Sequence, residues 1–103
     1  MWVMLNNSFL SIVENMNNPE ELLVRARVKG DIERVFNDAS VFEDVTADYK
    51  YRAFINRQIV QAEISKQVEG INYYNFKNSI SKDERERHDA YIQVWSALHR
   101  IQK

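Results

Sequence analysis

Hydrophobic positions alternate with polar ones in the first half of the chain and recur at helical spacing in the second. Ser8 to Val13 sets Phe9, Leu10, Ile12 and Val13 in a loose alternation, and Leu22 to Val28 reads LLVRARV, alternating strictly at its end. Both patterns predict strands. Between them ENMNNPEE, with Asn17, Asn18 and Pro19, supplies turn chemistry and predicts an antiparallel hairpin with a longer loop. KGDIERVF then spaces Ile32, Val35 and Phe36 for a short helix, with Asp31 at the positive end of its dipole. Past Asn37 and Asp38, SVFEDV and the alternating YKYRAFI, Tyr49 to Ile55, predict a second hairpin.

The second half reads as helices. Asn56 is a fitting N-cap for a helix carrying Val60, Ile64, Val68 and Ile71, with Gly70 expected to end it in a left-handed conformation. NYYNFKNSI, rich in aromatics and Asn, suits a short helix or an ordered loop over the core. Ser81 and Glu84 have the spacing of a capping box, and Tyr91, Val94, Trp95, Leu98 and Ile101 form one apolar stripe, expected to be core, on a C-terminal helix. This order predicts an α+β fold: an antiparallel sheet of about four strands, built from two hairpins, with two or three helices packed on one face. A length of 103 residues fits a single domain over 1–103.

Composition narrows the function classes. With 2 Gly, 1 Pro and 45% apolar residues, disordered and low-complexity readings are disfavoured. The 14 basic against 15 acidic residues give a net charge of -1, which signals neither a polyanion nor a strongly basic nucleic-acid binder. Zero cysteines remove disulfides and thiol chemistry. Met1 to Leu5 is apolar but stops at Asn6 and Asn7 without a basic leader, and no apolar run approaches the roughly 20 residues of a membrane span. A cytoplasmic protein without membrane association is expected.

Chemical motifs are sparse. His88 sits beside Asp89, but residues one apart do not share a helix face. His99, near the end of the same helix, is explained by the dipole. No His, Asp or Glu spacing matches a metal motif, no serine lies in a nucleophile elbow, and two glycines cannot build a phosphate loop, so no catalytic residue, metal or cofactor is expected. Lys29 to Asp31, KGD, is the nearest approach to an anion-binding helix start, and a structural turn is its better explanation.

The strand pattern says more. If Leu22, Val24, Ala26 and Val28 face the helices, then Leu23, Arg25 and Arg27 project from the other face. By the same alternation Tyr49, Tyr51, Ala53 and Ile55 go inward while Lys50, Arg52 and Phe54 go outward. Arg25, Arg27, Lys50 and Arg52, interleaved with Leu23 and Phe54, give a basic open face; long polar side chains there also suit an ordinary half-solvated sheet. Acidic residues gather elsewhere: Glu43, Asp44 and Asp48 around the second hairpin, and Glu14, Glu20 and Glu21 around the first. Trp2, Tyr73, Tyr74 and Phe76 are either interface anchors or a lid over a small core.

The segments MWVMLNNSFLSIV, LLVRARVKGDIERVF, DYKYRAF, NFK and RHDAYIQVW resemble small bacterial and mobile-element proteins to which no activity is assigned. The resemblance transfers no catalytic motif. By size and character it suggests an anti-CRISPR-like role, in which a phage-borne protein blocks a host defence complex. The expected function is therefore a non-enzymatic protein-binding module, an inhibitor or regulator of a nucleic-acid-handling assembly, with Arg25, Arg27, Lys50, Arg52, Phe54, Tyr73 and Tyr74 as partner-binding residues. The alternatives are nucleic-acid binding on the basic sheet face and a small enzyme using His88 with a carboxylate.

Overall fold

The computed structural model describes residues 1–103, which divide into two compact units, Met1–Ile71 and Asn72–Lys103. The first unit holds strands β1 (Trp2–Met4), β2 (Phe9–Glu14), β3 (Glu21–Ala26), β4 (Phe42–Glu43) and β5 (Tyr51–Asn56), with helices α1 (Asp31–Val35) and α2 (Arg57–Glu69). All strand pairs are antiparallel, in the order β1-β2-β3-β5-β4. The second unit holds a 3-10 turn, Lys77–Ser79, and helix α3 (Arg85–His99). The fold is α+β, with β1 as a strand that alternation alone did not predict. Three residues are too few to show a period, and what makes them a strand is pairing: Trp2, Val3 and Met4 stand opposite Ser11, Leu10 and Phe9.

The core follows from register. Ile12, Val24 and Ala53 lie side by side across β2, β3 and β5, and Leu22 stands opposite Ile55 on the same face. They pack with Leu10 and Ala26 against Ile32, Val35 and Phe36 around α1 and against Val60 of α2, with Ile64 half-buried beside them. Burying one such aliphatic side chain is worth about 1.5–3 kcal/mol. Val28 is an exception to the inward set: β3 ends at Ala26, the alternation lapses, and Val28 is exposed.

Gly30 opens α1 at φ 93°, a left-handed conformation that glycine adopts without Cβ strain. Asp31 follows it and is fully buried. Its carboxylate accepts from the Phe9 N–H at 2.9 Å and pairs with Arg34, whose Nε in turn donates to the Asn7 carbonyl at 3.0 Å and lies 3.3 Å from Ser8 Oγ. One ion pair thus ties α1 to the turn between β1 and β2. The KGD segment is a structural turn, its carboxylate bonded to the Phe9 N–H and to Arg34.

Asn56 does cap α2, its side chain accepting from the Gln58 N–H at 2.9 Å. Gly70 ends the helix at φ -82° rather than left-handed, its N–H bonding the Lys66 carbonyl at 3.0 Å. Only the first half of the expected stripe packs: Val68 and Ile71 are exposed. α3 departs further from expectation. Glu84 is its N-cap without a side-chain cap bond, and Ser81 Oγ accepts from Asp83 N–H instead, so the capping box does not form. Tyr91 is buried and stacks on Phe76 at 5.9 Å between centroids. Val94, Trp95, Leu98 and Ile101, expected in the core, are exposed, Trp95 by 54%. Helical spacing puts residues on one face; it does not supply something to cover that face. No helix is long and apolar enough to cross a membrane.

Candidate functional site

The face of the sheet opposite α1 and α2 is crossed by one row to which every strand contributes: Trp2, Ser11, Arg25, Arg52 and Phe42 stand successively opposite one another. Side chains two residues apart share a face, so Val13, Leu23 and Phe54 form the adjacent row. Arg25 directly opposite Arg52 places like charges side by side, an arrangement that disfavours the sheet unless something offsets it.

Tyr49 is what offsets it. The guanidinium carbons of Arg25 and Arg27 lie 4.7 Å and 4.3 Å from the Tyr49 ring centroid, and Arg52 Nη1 donates to the Tyr49 carbonyl at 3.2 Å. Arg27 Nη1 donates to the Asp48 carbonyl at 2.8 Å, and Arg25 Nη2 to Ser11 Oγ at 2.7 Å. A guanidinium over an aromatic ring is attracted by the ring quadrupole, more so where water is partly excluded. Tyr49 is buried, yet it is not part of the aliphatic core that its place in the alternation YKYRAFI predicted. β5 begins only at Tyr51, so the alternation cannot be run back to Tyr49, which is recruited by the arginines.

The three arginines brought together at Tyr49 make no ion pair within 4.0 Å, and Arg25 Nε is buried without a hydrogen-bond partner. Asp44 is the carboxylate that feels Arg52. Hydrogen bonds from the Thr46 hydroxyl and backbone, with a lesser attraction from Arg52, hold its carboxyl below the usual carboxylate range. The acidic and basic groups are therefore less segregated around the second hairpin than the sequence implied. Phe54 lies on the open face as expected and stacks on Phe42 at 5.8 Å, both rings exposed.

The remaining expected residues lie elsewhere. Lys50 precedes β5 and rests its Nζ 5.5 Å from the Tyr51 ring instead of joining the Tyr49 group. Tyr73 and Tyr74 belong to the second unit, where Tyr73 leans on Phe76 at 5.8 Å and Tyr74 is fully exposed. His88 Nδ1 approaches Asp89 Oδ1 at 3.5 Å, both side chains substantially open to solvent. No three His, Asp or Glu side chains are placed to hold a metal ion. A cleft of about 300 Å³ beside β5 is lined by Phe36, Phe54, Ile59, Asp38, Asn56 and Glu63. Two of its polar groups are engaged in structure, Asn56 capping α2 and Glu63 pairing with Lys66 at 3.2 Å.

Fold and site together define an α+β protein whose antiparallel sheet presents an open face of arginines and aromatic rings. No protein-family model matches the chain, and comparisons with curated proteins and with solved structures return no match.

Proposed function

We propose that this chain is a non-enzymatic protein-binding module that docks through the open sheet face, with Arg25, Arg27 and Arg52 receiving acidic groups of a partner protein and Phe42 and Phe54 anchoring beside them. The observation that carries the reading is the convergence of three guanidiniums on Tyr49 with no carboxylate of the chain paired to any of them. Arginine and aromatic anchors are the residue types that dominate interface energetics. Phe42 and Phe54 occupy each other's ring faces, and Tyr49 occupies the arginines, which leaves fewer free π surfaces for base stacking and favours a protein over a single-stranded nucleic acid. In its finer form the partner is a nucleic-acid-handling assembly that the module inhibits or regulates in an anti-CRISPR-like manner, a reading that rests on size and character.

The test uses the whole chain as bait in bacterial lysate, before and after nuclease treatment. Arg27→Glu with Phe54→Ala is the variant pair, since both residues are exposed, whereas Arg25 is half-buried and also donates to Ser11; because Arg27 likewise lies over the Tyr49 ring, the variant's melting curve is compared with the parent's. A stoichiometric protein that survives nuclease, is lost in the variant and weakens with salt supports the proposal. Recovery that disappears with nuclease assigns the face to nucleic acid, and capture unaffected by the substitutions removes the face as the site.

A further inference from the structure

The edges of the sheet differ in how they are protected. On one side β4 is only two residues long, ends in Glu43 and is followed by Asp44 and the turn to Asp48, so charge guards that edge. On the other side lies β1, within the run Met1 to Leu5, whose side chains are all apolar, with no Lys, Pro or Gly to blunt it. Trp2 is 73% exposed there.

The hydrogen bonding of β1 shows which of its backbone groups are available. Met1 and Ile12 exchange both bonds at 2.8 Å, and Leu5 N–H donates to Ser8 at 2.8 Å. In an antiparallel ladder such exchanging residues alternate with residues whose groups point the other way. Met1, Val3 and Leu5 therefore bond to the β2 side, and the N–H and C=O groups of Trp2 and Met4 point out from the sheet edge. These two residues are placed symmetrically about Val3. A second copy of β1 laid antiparallel, with Val3 opposite Val3, matches each Trp2 to a Met4 and satisfies the outward donors and acceptors of both strands at once.

We infer that β1 is a self-pairing edge, and that two copies of this chain associate through it into one sheet continuous across both. The occupant is a second copy because the donor and acceptor pattern is its own complement about Val3. No side chain of the strand carries a charge to oppose the approach, the Met1 ammonium is bonded to the Ile12 carbonyl, and the near-zero net charge of the chain adds little repulsion. Pairing also shelters the Trp2 ring, which already meets Phe9 edge-on at 6.0 Å, beside Met4 of the second copy. The two open faces then form a single surface with a set of arginines from each copy, and a partner with repeated acidic sites is held by avidity.

Sedimentation velocity on the full chain from about 10 µM to 1 mM, the affinity range of a small interface, reads the association. A concentration-dependent dimer is expected. Met4→Pro deletes an outward N–H while leaving the bonds of Val3 and Leu5 to β2, and it should abolish the dimer with an unchanged far-ultraviolet spectrum. Because the chain has no cysteine, Val3→Cys gives a direct readout: Val3 residues facing each other in a non-bonded pair are about 4.5 Å apart between Cα atoms, within disulfide reach. Oxidation should then give a covalent dimer, and Met16→Cys, on the exposed loop between β2 and β3, should not match its rate. A parent that stays monomeric over this range, a dimer untouched by Met4→Pro in a folded variant, or a Val3→Cys chain that cross-links no faster than Met16→Cys overturns the inference.

Discussion

Replacing Asp31 by Ala probes the tie between α1 and the turn before β2. The carboxylate is fully buried, receives the Phe9 N–H at 2.9 Å and pairs with Arg34. Its removal leaves a partly buried N–H without a partner, which costs about 1–3 kcal/mol. Breaking a fully buried ion pair costs about 3–5 kcal/mol, but the Arg34 side chain is 39% exposed and water screens what it loses. Together these give about 2–4 kcal/mol, a large part of the 5–15 kcal/mol typical of a whole domain. At about 4–8 °C per kcal/mol for a domain of this size, the melting midpoint should fall by roughly 8–32 °C. Urea unfolding followed by far-ultraviolet circular dichroism measures the loss, with an unchanged slope indicating that the folded state is otherwise intact. Asp31→Asn keeps an oxygen for the Phe9 N–H and should lose less, and combining Asp31→Ala with Arg34→Met should cost less than the sum of the two alone. An Asp31→Ala chain within about 0.5 kcal/mol of the parent, the range of ordinary surface changes, would refute the reasoning.

Trp95→Ala should cost only about 1 kcal/mol, well short of the 3–5 kcal/mol of a buried tryptophan, because the half-exposed ring is held by the Lys77 ammonium at 4.2 Å and by stacking on His99 at 5.8 Å; a loss above about 3 kcal/mol in the same urea experiment would show that the α3 stripe is covered in solution. Asp44 should titrate below the ordinary carboxylate range in a carbon-13 NMR experiment, and Thr46→Val, which removes the hydroxyl but keeps the backbone donor, should raise its midpoint. Because the folded value is the depressed one, any stabilisation from Asp44 is present above the unfolded carboxylate range and fades as pH falls through the folded value, and a midpoint indifferent to Thr46→Val would exclude the hydroxyl as the main cause.

Much of the first unit was legible in local pattern. Alternation over Ser8–Val13, Leu22–Val28 and Tyr49–Ile55 pointed to β2, β3 and β5, overrunning each at one end, and spacing identified α1 and the cap of α2, because each depends only on residues close in sequence. The same alternation put Arg25, Arg52 and Phe54 on one open face. What local pattern did not determine is who stands beside whom. That β1 pairs with β2, that Arg25 falls opposite Arg52, and that Phe42 meets Phe54 follow from registers between distant segments. Tyr49 carries the clearest instance: its position in an alternating run points inward, yet the strand starts two residues later and two guanidiniums claim the ring. Val94, Trp95, Leu98 and Ile101 show the converse, an apolar periodicity that is genuinely helical but exposed in this chain. A sequence period sets the direction in which side chains point along one element, whereas burial and charge pairing are decided by the other elements that tertiary packing brings, or does not bring, against it.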